Sequence, residues 1–129
     1  MRIKQVSVMV ENKSGKLAEA TGFLASKGIN LRALSIADTQ NYGILRIIVD
    51  EPEKAAHLLL EAGYLTKITD VLSVAVPDCP GGMDKIVRKL SAGGIGIEYA
   101  YAFPALEPGT AYMILRVDDN DKAEAVLNA

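Results

Sequence analysis

A long stretch of this chain occurs twice. The segment NKSGKLAEATGFLASKGINLRAL beginning at Asn12 returns as DCPGGMDKIVRKLSAGGIGIEYA at Asp78, an offset of 66 positions. Gly15 falls on Gly81, Leu17 on Met83, Leu24 on Leu90, Gly28 on Gly94, Ile29 on Ile95 and Leu31 on Ile97. Further on the register slips by two, so that Val49, Asp50, Lys54, Ala55 and Leu59 match Val117, Asp118, Lys122, Ala123 and Leu127. Two copies are too few for a solenoid, which needs three or more repeats to bury a continuous core, so the repeat marks a duplicated small domain. It divides the 129 residues into 1–69 and 70–129, each near the lower limit for independent folding.

Each copy has the same order of patterns. Val6, Val8 and Val10 alternate with Gln5, Ser7 and Met9 from Ile3 to Val10, the period of a half-buried strand. Asn12-Lys13-Ser14-Gly15 breaks that period, and Leu17, Ala20 and Leu24 follow at helical spacing up to Lys27, with Gly28 as a stop. Leu31 to Ala37 and Ile44 to Val49 are β-rich runs joined by the turn formers DTQNYG, as in a hairpin. A second helix starts after Asp50, where Asp50 and Glu53 have the spacing of a capping box and Pro52 sits in the first turn, and it ends at Gly63. Tyr64 to Val76 is a further extended stretch, long enough to close the first unit and open the second.

In the second copy Met83, Ile86, Val87 and Leu90 form the i, i+3, i+4, i+7 stripe of an amphipathic helix. Ile97 to Phe103 and Ala111 to Val117 read as its hairpin, and Asp121 to Leu127 as a last helix. No closing strand follows. Three accounts stay open: a truncated sequence, a Tyr64 to Val76 stretch shared by both units, or a second sheet one strand short. The fold class is therefore α+β, two tandem ferredoxin-like βαββαβ units with antiparallel sheets and helices on one face, a plan that many unrelated functions use.

Composition narrows the partners. Fourteen Lys and Arg against sixteen Asp and Glu give a net charge of -2, and the longest basic run is Arg88-Lys89, so neither nucleic acid nor an anionic membrane is an expected partner. One cysteine, Cys79, leaves no internal disulfide, and the opening MRIKQVSVMVENK has too short an apolar run for a signal peptide, which places the chain in the cytoplasm by default.

Order, spacing and duplication of short motifs point further. NKSGKLAEATGFLASKGINLRALSIAD, with its polar-x-x-Gly turn, apolar helix and Gly28-Ile29-Asn30, resembles the opening of an ACT domain, the amino-acid-sensing module of biosynthetic enzymes. The second copy has the more usual Asp-x-Pro-Gly form at Asp78, Pro80 and Gly81, then Gly94-Ile95, with Gly96 where the first has Asn30. The resemblance covers the whole chain as two tandem units. It implies that units pair side by side through edge strands and hold an amino acid between the first strand–helix loop of one unit and the second strand of another. Carried onto this chain, the ligand-binding residues are Asn12, Ser14, Gly15, Lys16, Leu17, Asn30 and Leu31 in the first copy. In the second they are Asp78, Pro80, Gly81, Gly82, Met83, Gly96 and Ile97.

Physical chemistry independent of the family supports such a loop. Free N–H groups at a helix start converge on one spot, and the helix dipole favours an anion there by roughly 0.3 to 2 kcal/mol, which suits a carboxylate. A glycine lets the ligand approach the backbone. Asn12 or Asp78 can meet the ligand's ammonium, or cap its own helix instead. Leu31, Leu34, Ile36, Met83, Ile97 and Tyr99 favour an apolar or aromatic ligand side chain where the strand register turns them towards it.

Other motifs are weaker. Ser14-Gly15-Lys16 lacks the earlier glycine and trailing Ser/Thr of a phosphate loop. The glycines of AGGIGIEYA follow a helix and precede a strand, the reverse of a dinucleotide-binding turn. Cys79 has no histidine near it in sequence, and His57 has no second ligand to complete a metal site. The acidic run Asp118, Asp119, Asn120, Asp121 lacks the calcium-loop pattern and reads as a helix cap.

With no Ser-His-Asp, Cys-His, metal-ligand or nucleotide constellation, the expected function is non-catalytic: an allosteric, amino-acid-binding regulatory protein without cofactor or metal, a homodimer with a biosynthetic enzyme as possible partner. The alternative is a structural or regulatory subunit whose edge strands pair with a partner enzyme and whose loops bind nothing. A third reading, the small subunit of acetolactate synthase, ranks last because that subunit's second half is not a simple repeat of its first.

Overall fold

The structure is a computed structural model and describes residues 1–38 and 41–129. Elements follow in the order β1 (Arg2–Glu11), α1 (Lys16–Ser26), β2 (Leu31–Asp38), β3 (Tyr42–Val49), α2 (Pro52–Glu61), β4 (Thr66–Pro77), α3 (Gly82–Ala92), β5 (Ile97–Pro104), β6 (Thr110–Val117) and α4 (Asn120–Asn128). Strand, helix, strand, strand, helix occurs twice, with β4 ending the first βαββαβ unit and beginning the second, the tandem ferredoxin-like plan that the sequence implies. Part of the expected Asp38–Gly43 connection, residues 39 and 40, lies outside the described residues.

The chain divides into two compact units, one of Lys4–Thr69 and one of Met1–Ile3 with Asp70–Ala129. In the first unit the antiparallel order is β2-β3-β1, with Val8 opposite Leu45 and Leu34 opposite Ile47. Val6, Val8, Val10, Leu45, Ile47 and Val49 form one face, and Ala20 and Leu24 of α1 with Ala55 and Leu59 of α2 cover it, so both helices lie on the same side. In the second unit the order is β4-β6-β5, and Leu72, Val74, Val76, Leu115 and Val117 make the equivalent face under Leu90 and Ala123. Alternating apolar residues on a strand can reach only one face, which is why these valines and leucines lie at or near full burial.

No strand follows α4 among the described residues. The long strands supply what is missing. Residues 66–69 of β4 group with the first unit, where the Met9 N–H donates to the Leu65 carbonyl at 3.0 Å. Residues 1–3 group with the second, where the Ser73 N–H donates to the Met1 carbonyl and Arg2 pairs with Asp121 and Glu124 of α4.

The Gly-Ile dipeptides end helices. Gly28 and Gly94 have φ of 73° and 75°. Ile29 and Ile95 then donate back to the Leu24 and Leu90 carbonyls at 3.0 and 2.9 Å, the two-bond cap that needs a left-handed residue, and both isoleucines are buried. The Asp50–Glu53 capping box does not form. Glu51 is the N-cap of α2, no side chain caps it, and Pro52 at the first helical position removes an N–H that would otherwise need a partner. At α4, by contrast, the Asp119 carboxylate accepts from the Lys122 N–H at 3.0 Å, which accounts for the acidic run as a cap.

Candidate functional site

The two strand–helix loops have different sequences and share a left-handed glycine at the helix start. Gly15 has φ 86° and ψ -13°, Gly81 has φ 87° and ψ -9°, and neither α1 nor α3 is capped by a side chain. A residue with a Cβ would pay about 1–2 kcal/mol to adopt this left-handed conformation, so glycine is required for the turn. Each loop is tied to its own hairpin: the Asn12 N–H donates to the Asn41 carbonyl at 3.0 Å, and the Asp78 N–H to the Gly109 carbonyl at 2.8 Å. Within each loop the Lys16 N–H donates to Lys13 and the Gly82 N–H to Cys79, at 3.2 and 3.0 Å. No side chain caps either helix start, and a helix N-terminus without such a cap can receive a carboxylate on its first-turn N–H groups.

Beside the first loop, Glu11, Asn12, Lys13, Asn41 and Tyr42 line an open hollow of about 350 Å³. Asn12, Ser14 and Gly15 are exposed there, and Leu17 shows 38% of its surface. Lys16 is half-buried and its ammonium bonds Glu19 at 3.3 Å, which raises its pKa above the usual lysine value. In the second loop Asp78, Pro80 and Gly81 are exposed, whereas Gly82 is buried against the end of β4 and Met83 packs on the core. A Cβ built on Gly82 would stand 2.1 Å from the Pro77 carbonyl oxygen. Lys16 occupies the matching place in the first copy, so the two loops differ in how closely they sit on their sheets.

The strand residues lie elsewhere. Leu31 pairs with Val49 while Asp38 pairs with Gly43, next to the Glu11–Tyr42 pair at the loop end. Seven strand steps of about 3.3 Å put Asn30 and Leu31 roughly 23 Å from the loop of their own unit. Leu31 and Ile97 moreover pack on the cores of their units. The Gly96 N–H donates to the Asp118 carboxylate at 3.2 Å and its carbonyl accepts from the Asp118 N–H at 3.1 Å, so this backbone is already engaged. The structure thus brings the loop residues together with the hairpin ends and separates them from the starts of β2 and β5 in the same unit.

A β-bulge lies at the start of both outer strands, between Leu31 and Ala33 and again between Ile97 and Tyr99. It shifts the alternation by one residue. Leu31, Leu34 and Ile36 consequently share the helix-covered side, yet Leu34 and Ile36 remain 45% exposed because β2 stands at the outer end of its order. On β5 the same shift places Tyr99, Tyr101 and Phe103 on the side opposite the helices, where Phe103 stacks on Tyr112 with centroids 5.1 Å apart.

A sequence description of the ACT domain pair matches residues 1–129. The chain belongs to that family. Protein BT0572 from Bacteroides thetaiotaomicron has a similar structure, at 42% identity and TM-score 0.91 over 99% of this chain and 88% of that one. The regulatory subunit of aspartate kinase from Thermus thermophilus shares the fold, with TM-score 0.71 at 17% identity over 97% of this chain and 88% of that subunit. Among curated proteins, the acetolactate synthase small subunit of Buchnera aphidicola is 25% identical over 79 residues, 54% of this chain and 50% of the relative. The isozyme 3 small subunit of Salmonella typhimurium is 25% identical over 131 residues, 95% of this chain and 80% of the relative. The chain therefore spans half the length of the first curated relative and four fifths of the second.

Among the described residues no helix is long and apolar enough to cross a membrane, and no group of three His, Cys, Asp or Glu could hold a metal. His57 is exposed and pairs with Glu61 at 3.1 Å, and Cys79 is exposed in its loop. Sequence reasoning passed over one feature: an open cavity of about 300 Å³ whose lining includes Lys16, Glu19 and Tyr64. Its signal was the Lys16-x-x-Glu19 spacing, which puts both charges on one helix face.

Proposed function

We propose that this ACT domain pair is a non-catalytic regulatory protein that binds an amino acid at the loops Asn12–Leu17 and Asp78–Met83. The observation that supports this reading is the matching left-handed glycine at the start of α1 and of α3, in loops whose sequences differ and which are both left without a side-chain cap. The ligand's carboxylate meets the first-turn N–H groups, and Asn12 or Asp78 accepts from its ammonium. Because Asn30 and Gly96 lie a strand's length from the loops of their own units, a ligand that also touches the start of such a strand is held between two paired units. The apolar outer strand β2, with Leu34 and Ile36 exposed, supports pairing in a homodimer. An amino acid of about ten heavy atoms at ordinary ligand efficiency binds with roughly 4 to 8 kcal/mol, hence at millimolar to micromolar concentration.

The effect of binding passes to a separate enzyme. The similarity to small subunits of acetolactate synthase extends over most of this chain, and it raises that class of partner above its place in the sequence reading. The same exposed β2 favours a second reading, assembly through edge-strand pairing with no ligand. A thermal-shift screen against the twenty amino acids separates them: a rise in Tm with one or two supports ligand binding, and no rise with any favours assembly alone.

A further inference from the structure

The repeat lets one unit show what the other lacks. At the offset of 66 positions Ser7, Met9 and Glu11 of β1 correspond to Ser73, Ala75 and Pro77 of β4. In the first unit the Met9 N–H donates to the Leu65 carbonyl at 3.0 Å, so the segment after α2 runs along the edge of β1. Tyr64 in that segment packs on the core, with its ring centroid 6.3 Å from that of Phe23. In the second unit the Ser73 N–H donates to the Met1 carbonyl, so Met1–Ile3 take the place that residues 67–69 hold in the first. Antiparallel strands advance in opposite directions, so with Met1 opposite Ser73 no described residue of this unit stands opposite Val74 to Pro77 on that side. Backbone groups two residues apart on a strand point the same way. Ala75 therefore turns its N–H and carbonyl, and Pro77 its carbonyl, to an uncovered edge, and both residues are exposed. The edge is kept extended from its other side, where Ala75 lies opposite Tyr112 and Val76 opposite Ala111.

We infer that this edge of the second unit is a docking site for an extended segment of a partner protein, which adds a short strand where the first unit places residues 63–66. The first unit supplies the occupant's pattern. One residue accepts from the Ala75 N–H as Leu65 does from Met9, and the aromatic residue before it lies against α3 as Tyr64 lies against α1. Phe23 corresponds to Lys89, whose ammonium is held by the Leu127 and Ala129 carbonyls, so its aliphatic stem is the surface that meets the ring. Lys85 stands where the first unit has Glu19, is exposed and makes no ion pair among the described residues, which suits an acidic residue close to the aromatic one. Pro77 has no N–H to offer, so the far end of the edge holds an acceptor alone, and the added strand is short. This chain's own segment of that pattern is already in place beside β1, which assigns the occupant to a second protein. The site uses neither loop glycine and no pairing through β2, so it stands apart from amino-acid binding.

The test uses the full chain, nitrogen-labelled and free of amino acids, with amide hydrogen exchange read by NMR. The probe is acetyl-Ala-Gly-Tyr-Leu-Thr-amide, the sequence of residues 62–66 that fills this place in the first unit. In the free protein the Ala75 amide should exchange at least tenfold faster than the Met9 amide, and saturating peptide should slow it at least tenfold. Glutamate in place of the peptide's alanine should tighten binding about threefold, as an exposed ion pair with Lys85 allows, and lysine there should weaken it. Proline in place of the peptide's leucine should abolish binding, as should Ala75→Pro in the protein, a change that removes no bond of the fold. The same five residues fused directly before Met1 should protect the Ala75 amide without added peptide. An Ala75 amide already protected in the free protein overturns the inference. So does one that neither the peptide nor the fusion slows, an equal response to the proline peptide, or a response at Met9 in place of Ala75.

Discussion

Gly82→Ala offers a sharp test of how the second loop is built. A methyl at that position meets the Pro77 carbonyl oxygen at 2.1 Å, more than 1 Å inside contact distance, and the carbonyl carbon at 3.1 Å. Both atoms are backbone, so no rotamer change relieves the overlap. Either α3 lifts from the sheet or the end of β4 bends, and either motion disturbs the bonds from Gly82 to Cys79 and from Asp78 to Gly109. Overpacking costs about 1–3 kcal/mol and a weakened hydrogen bond about 1 kcal/mol, so the expected loss is about 2–4 kcal/mol. At this chain length each kcal/mol corresponds to about 3–5 °C, which predicts a fall in Tm of roughly 6–20 °C by calorimetry. Lys16→Ala, at the matching place in the first copy, should change stability by less than about 0.5 kcal/mol because its backbone already tolerates a side chain. A Gly82→Ala protein within 0.5 kcal/mol of wild type would refute the close seating of the second loop.

Other predictions rest on different elements. Ile36→Glu places a charge on the exposed outer strand and should convert the proposed homodimer to a monomer in sedimentation velocity at micromolar concentration, with Tm of the monomer nearly unchanged. Removing the α4 cap with Asp119→Ala should cost about 1 kcal/mol in urea unfolding, while Asp50→Ala, whose side chain caps nothing at α2, should cost far less. Tyr64 and Lys16 both have folded-state pKa values raised above their ordinary 10.0 and 10.5, so each binds its proton more firmly in the folded state. Their contribution is complete below about pH 10 and is lost as pH rises through the folded values, so Tm should decline on the alkaline side. With no tryptophan in the chain, tyrosine absorbance at 295 nm follows this directly: Tyr64 should ionise above the usual tyrosine range, and Tyr64→Phe should remove that late step.

Much of this architecture was legible because it rests on period and punctuation. The valines of β1, the Met83–Leu90 stripe of α3 and the glycines at 15, 28, 81 and 94 each state a local geometry that the packing then uses. The bulges after Leu31 and Ile97 were not legible, since one extra residue in a strand has no composition of its own and still reverses which face Leu34 and Tyr99 occupy. The α2 cap was misread because Pro52 at the first helical position favours Glu51 as the boundary over Asp50. For the missing last strand, three accounts stood open from sequence alone. The grouping of Met1–Ile3 with the second unit is a long-range pairing of chain start with Ser73, which no local pattern announces. The cavity at Tyr64 escaped for a similar reason, since β1, α1 and the α2–β4 turn meet there only in three dimensions.

The central claim is that this regulatory fold binds an amino acid at its glycine loops. Isothermal titration of the full chain with each of the twenty amino acids, repeated with Gly15→Val and Gly81→Val, tests it most directly. The account predicts saturable heat for one or two amino acids, with Kd between micromolar and millimolar, weakened at least fivefold by one or both substitutions in proteins that remain folded. Heats of dilution alone for all twenty, or binding that both substitutions leave untouched, would contradict it.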